Sequence, residues 1–180
     1  WLCEHGHEQG LIQVMEARHS ISSSQFDGIA AMISRFLLCD DLEPRKALDR
    51  LVQHVAGGPK APPDEARALR DFLRPTNDEF GSLDESTINF TNQREGLVLA
   101  ERFFRRSTTN LAAVLWLDDL QWGLETLPFV EHLLDEQVND IPLLMIATVQ
   151  EEALAERDHE RFLLEEILQS PRTSSLAIDA

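Results

Sequence analysis

Two adjacent carboxylates, Asp118 and Asp119, follow directly on the apolar run Ala112-Ala113-Val114-Leu115-Trp116-Leu117. A second apolar run, Pro142-Leu143-Leu144-Met145-Ile146-Ala147, is followed by Thr148 and Gln150. Short uninterrupted apolar runs bounded by polar residues have the composition of strands buried on both faces. Between them, residues 125–138 read as a helix with Leu127, Val130 and Leu134 turned inward. Strand, helix and strand at this spacing make a parallel pair joined by a right-handed crossover. Ligands bind outside the carboxyl ends of strands in open parallel sheets, so two acids and two polar side chains are expected at one crevice. That set suits phosphoryl transfer to water. One carboxylate can hold Mg²⁺, often through its waters, and the other can orient or polarise the attacking water. A polar group on the neighbouring strand can then sense the terminal phosphate.

The elements that must carry this crevice are legible from periodicity. Leu11-Ile12-Gln13-Val14-Met15 is of strand length. Ser24 and Asp27 have capping-box spacing, and Phe26, Ile29, Ile33, Phe36 and Leu37 mark one buried face of the helix that follows. Leu48, Leu51, Val52 and Val55 repeat that spacing up to Gly57-Gly58-Pro59. Residues 57–63 and 76–91 read as connector loops, with a helix at 64–73 between them and another at 93–106 carrying Leu97, Ala100, Phe103 and Phe104. A helix at 159–169 and a short strand at 175–178 close the chain. The expected fold class is α/β and helix-rich, three layers with a parallel sheet flanked by helices. No internal repeat or low-complexity tract interrupts it.

Composition sets limits on partners. A chain of 180 residues is long enough for one core and short for two. With 32 acidic against 16 basic residues and a net charge of −16, no direct contact with nucleic acid is expected. Arg102, Arg105 and Arg106 form the densest basic cluster and read as a solvated face. Two cysteines make no disulfide framework, and no apolar run is long enough to span a membrane, which together point to a cytoplasmic setting. Trp1 opens the sequence without a start-like feature and reads as an internal cut.

Other groups carry plainer readings. Cys3, His5 and His7 fit no structural zinc spacing. His132 and His159 read as solvated, as do Glu151-Glu152 and Glu165-Glu166, while Trp116 and Trp122 read as packing residues. An apolar strand ending in two acids can also merely cap the next helix.

The stretch from Val114 to Trp122, four apolar residues, two acids, then Leu-Gln-Trp, closely resembles the Walker B region of AAA-like P-loop ATPase modules in STAND-type bacterial signalling regulators. Residues 142–148 resemble the sensor strand of that family and 175–178 its next strand, while 11–18 and the Phe26 helix are similar to its second strand and following helix. The resemblance covers nearly the whole chain, strongly at 111–150 and weakly before 90. It implies an incomplete P-loop NTPase fold over 1–180 that lacks the first strand and the phosphate-binding loop. ATP and Mg²⁺ are the implied cofactors, with Asp118 as the metal-associated acid, Asp119 as the catalytic acid, and Thr148 and Gln150 at the nucleotide. The implied partners are fused kinase, cyclase or DNA-binding effector domains, or repeat domains. The pattern departs at Thr148-Val149-Gln150, where the family has Thr-aromatic-Arg, and at Gly123-Leu124, where a small residue and an acid are usual. Lys46 and Lys60 are both followed by alanine, so neither supplies G-x-x-x-x-G-K-[ST], which would lie before Trp1.

Three functions compete. One is an ATPase or ATP-switch module, the second a non-catalytic α/β interaction module that keeps the fold. The third is an unrelated hydrolase using Asp118 and Asp119, for which the sequence offers no nucleophile.

Overall fold

The computed structural model describes residues 2–22, 27–40, 42–56, 64–73, 93–135 and 140–178. The connectors at 57–63 and 76–91, and Ser24 and Phe26 of the expected cap, lie outside these. In chain order the elements are α1 (Leu2–Glu8), β1 (Gln13–Arg18), α2 (Gly28–Phe36), α3 (Pro44–Ala56), α4 (Glu65–Leu73) and α5 (Gln93–Ser107). They continue with β2 (Ala113–Asp118), a 3₁₀ turn (Leu120–Trp122), α6 (Leu127–Leu134), β3 (Leu143–Ala147), α7 (Glu151–Leu154) and α8 (Asp158–Gln169). The three strands form one sheet in the order β1-β2-β3, parallel throughout. β2 is therefore central, with Arg18 opposite Asp118 on one side and Ala147 opposite Leu117 on the other. The α/β, helix-rich expectation holds.

The sheet has two unlike faces. Met15, Ala17, Ala113, Leu115 and Leu117 are buried in one core with Ile29, Ile33, Leu51, Leu69, Phe103, Phe104, Leu127 and Phe129 from the helices. Within it Phe104 meets Phe103 edge to face at 5.4 Å and stacks on Phe129 at 5.6 Å, so α5 and α6 share one aromatic contact under the sheet. On the opposite face Trp116 stands beside Ile146 in register, and Trp116, Leu144 and Ile146 are 36%, 52% and 36% exposed. Val114, on the same face of β2, is 3% exposed, so that face is covered towards the start of β2 and open towards its end and over Leu144 and Ile146 of β3. Trp116, expected as a packing residue, is correspondingly half open.

Five other expectations are corrected. The first strand runs over Gln13–Arg18 rather than 11–15: Leu11 is 66% exposed, and Glu16 and Arg18 alternate with the buried Met15 and Ala17, while Gln13 shares their face at the strand's start. The polar positions have uses that composition does not display. Gln13 Nε2 donates to the Ser107 carbonyl at 2.6 Å, and Arg18 pairs with Glu16 at 2.8 Å. Residues 175–178 form no strand, and Leu176 and Ile178 are 85% and 87% exposed, because no described strand offers them a ladder. The helix expected over 125–138 is α6, Leu127–Leu134, with Pro128 in its first turn; residues 136–138 lie outside the described residues. Finally, the basic cluster is not a free solvated face. Arg105 pairs with Glu101 at 2.8 Å and with Asp140, and Arg106 reaches Glu65 Oε1 at 2.7 Å. His132, half-buried rather than solvated, meets Glu101 at 2.8 Å. Burial alone would raise the Glu101 carboxyl, but the bonds from Arg105 and His132 hold it below its ordinary value. Exposed Glu151, Glu152, His159, Glu165 and Glu166 match their reading.

The Glu65 carboxylate is almost wholly buried between α4 and α5, and Arg106 is its main counter-ion. Arg102 lies 3.8 Å from Oε2, near enough for Coulomb attraction and too far for a hydrogen bond. Arg106→Leu leaves that charge uncompensated and should cost about 3–5 kcal/mol in urea unfolding, most of it recovered in Glu65→Leu/Arg106→Leu. A single-variant loss under about 1 kcal/mol would show that Arg102 suffices.

His54, 5.1 Å from the Phe103 ring, has a buried Nε2 without a hydrogen-bond partner. Burial first, then the charge of Arg106, holds its pKa below the usual imidazole value, against the pull of Glu65. A base depressed in the folded state binds its proton more readily when unfolded. Its contribution is therefore complete above the unfolded value of about 6.5 and is lost as pH falls from there towards the folded value. Thermal melts from pH 7 to 5 should fall less steeply for His54→Phe than for the parent chain.

Candidate functional site

The carboxyl edge of β2 and β3 brings together all four residues singled out from the sequence. Thr148, just past β3, takes the ladder position after Ala147: its N–H donates to the Leu117 carbonyl at 3.0 Å, and its own carbonyl accepts from Leu120 N–H at 2.9 Å. Its hydroxyl donates to Asp118 Oδ1 at 2.8 Å and accepts from Asp119 N–H at 3.0 Å. One threonine side chain thus fixes both acids. Asp119 sits in the left-handed region, φ 55 and ψ 44, which aspartate tolerates better than most residues. The chain reverses there into the 3₁₀ turn.

Gln150 lies beside the same acid, its Nε2 donating to Asp119 Oδ1 at 3.0 Å. Gln121, expected only as part of a motif, is fully buried. Its Nε2 donates to the same oxygen at 3.0 Å, and its Oε1 accepts the Gln150 backbone N–H at 3.1 Å. Trp122, half-buried, carries the Arg157 guanidinium 4.3 Å from its ring centre.

Beneath the turn is a residue that sequence reasoning missed. His19, first after β1 and 7% exposed, places Nδ1 2.8 Å from the Asp118 carbonyl and Nε2 2.9 Å from Thr126 Oγ1. A carbonyl can only accept, so Nδ1 carries a proton, and a ring carrying that proton alone accepts from the Thr126 hydroxyl through Nε2. Its position directly after a strand was the only signal available, since Asp118 and Thr126 are about a hundred residues away. Gly123 completes the fit: a Cβ there would lie 2.7 Å from the His19 ring.

Asp118 offers one carboxylate beside a hydroxyl, a donor set that suits a divalent ion completed by water and phosphate oxygens. Among the described residues no three His, Cys, Asp or Glu side chains converge as a self-sufficient metal cage, and Cys3 and Cys39 form no disulfide. No helix of the described residues is long and apolar enough to cross a membrane.

No family model, no curated protein and no solved structure matches the chain.

Because the His19 ring is held at both nitrogens, it cannot swing aside for a methyl group. Gly123→Ala should cost about 1–3 kcal/mol by steric displacement, and His19→Leu about as much by leaving the Thr126 hydroxyl without its acceptor. In Gly123→Ala/His19→Leu the losses should fall short of additivity, measured by chemical unfolding. Full additivity would show that the two do not act through one contact.

Proposed function

We propose that this chain is the acid-bearing part of an ATP-binding and ATP-hydrolysing regulatory module that switches attached kinase, cyclase, DNA-binding or repeat domains. The phosphate-binding loop would come from polypeptide outside this sequence. The reading is carried by two adjacent acids at the carboxyl end of the central strand of a parallel sheet, both hydrogen-bonded by polar groups from the end of the neighbouring strand. Asp118 would hold Mg²⁺, which supplies charge neutralisation for the phosphates when bound. Asp119 would polarise water, and Thr148 would fix both acids relative to the nucleotide.

The outer edge of β3, which no described strand pairs, supports the same reading. Leu143–Ala147 has the composition of an inner strand, yet among the described residues β2 is its only strand partner. A further parallel strand at that edge would end beside Thr148 and bring its following loop to Asp118. The alternative is a non-catalytic α/β interaction module. It is favoured by Gln150, which stands where the resembling family has a cation and binds Asp119 instead.

Calorimetry with Mg-ATP should find the 180-residue chain binding weakly or not at all; micromolar affinity would show that the phosphates have a cradle within it. In a longer chain that includes a phosphate-binding loop, Asp118→Ala should weaken Mg-dependent binding. Asp119→Asn keeps an oxygen for both amides and removes the charge. Single-turnover hydrolysis should then fall about 10²-fold or more while affinity survives. Gln150→Arg should raise turnover or affinity. Equal effects of Asp119→Asn on binding and hydrolysis, or none on either, would put the interaction module in front.

A further inference from the structure

We infer that Gln121 is the positioning residue of this site, aiming the Asp119 carboxylate with one end of its amide and anchoring the Gln150 backbone with the other. The inference rests on the reading of Asp119 as the acid of hydrolysis, and its geometry stands apart from that reading.

Gln121 is 0% exposed, so its amide has no water to turn to and its bonds within the protein decide its orientation. The alternative flip would set Oε1 against the Asp119 carboxylate and the NH₂ group against the Gln150 N–H. Both contacts would repel, so the observed orientation selects itself. The backbone beneath is fixed independently: Leu120 N–H is bound to the Thr148 carbonyl, Trp122 N–H to the Asp119 carbonyl, and Gly123 N–H to the Leu120 carbonyl. Gln121 therefore works from a rigid turn, as a supporting side chain must if it is to hold another group in place.

The consequence is an asymmetric carboxylate. The Gln121 and Gln150 amides both meet Oδ1, and among the described residues no hydrogen bond reaches Oδ2. Held by one oxygen, Asp119 presents the other in a defined direction for a water molecule. Gln150 supplies the second of these bonds, and its own backbone is placed by Gln121. Displacing Gln121 should loosen both at once, whereas displacing Gln150 removes only one.

Three substitutions separate the two ends of the amide. Gln121→Glu keeps an acceptor for the Gln150 N–H but sets a carboxylate against Asp119. Gln121→His keeps one ring donor and one ring acceptor, and Gln121→Met fills similar volume with neither. In the 180-residue chain, nitrogen-resolved hydrogen exchange at the Gln150 amide should be unchanged in Gln121→Glu and about fivefold or more faster in Gln121→Met. In the longer chain, if it hydrolyses ATP, Gln121→Glu and Gln121→Met should lower kcat about 10–100-fold with ATP affinity held within about threefold, and Gln121→His should restore most of the loss. A merely structural role would move affinity and kcat together and would not be rescued by histidine. Unchanged exchange in Gln121→Met, or unchanged kcat in an active parent, overturns the inference. An inactive parent overturns the proposed function instead, and the Gln150 exchange then judges the tie between β2 and β3 by itself.

Discussion

The parallel pairing of β2 with a strand on each side is the constraint on which the rest of the structure depends. Asp118 and Thr148 meet only because Leu117 is level with Ala147, and that register is continued past the strand ends by the Thr148 N–H on the Leu117 carbonyl. A slip of one residue would turn Leu115 and Leu117 away from the phenylalanines and put Trp116 in their place. The hydrophobic fit on the closed face therefore holds the acids at the other end of the strand. The site inherits its precision from a core that does no chemistry.

That dependence explains what was legible in advance. The β2 and β3 runs are uninterrupted apolar stretches, and the helix between them and the one read at 93–106 carry apolar residues at helical spacing, so strand, helix and parallel order follow from local pattern. The edge on which Asp118, Asp119, Thr148 and Gln150 gather follows in turn from parallel order. The rest was hidden for a common reason. Gln13, His19, Glu65 and Gln121 are polar residues whose roles are set by partners that sequence spacing does not reveal, as in the 99-residue separation of His19 from Asp118. A buried polar group looks like a surface one until its partner is in place. The same blindness made Arg106 look solvated, because nothing in the sequence announces that Glu65 needs it.

The first strand and the missing last strand show the limit of composition from opposite sides. β1 alternates, so its polar half diluted the apolar signal and moved its expected boundaries by two or three residues. Residues 175–178 have an apolar signal and no ladder. Strand character is a property of a pair, and the apolar content of one segment cannot supply the other member.

The site combines two demands that pull against each other. On the proposed reading, a carboxylate that polarises water benefits from a fixed direction, and the amides of Gln121 and Gln150 provide it; yet each bond donated to the anion also occupies a lone pair that a water molecule could use. Placing both donors on Oδ1 limits that conflict, since the opposing oxygen keeps its lone pairs in a known direction. An arginine at position 150 would sharpen the conflict by bringing a full positive charge to the same oxygen whenever no phosphate drew it away. A neutral amide holds the acid more weakly and leaves its charge intact. On the proposed reading, Gln150 would suit a site in which Asp119 is oriented before a nucleotide arrives, and the fully buried Gln121 beneath it would make that orientation independent of the nucleotide.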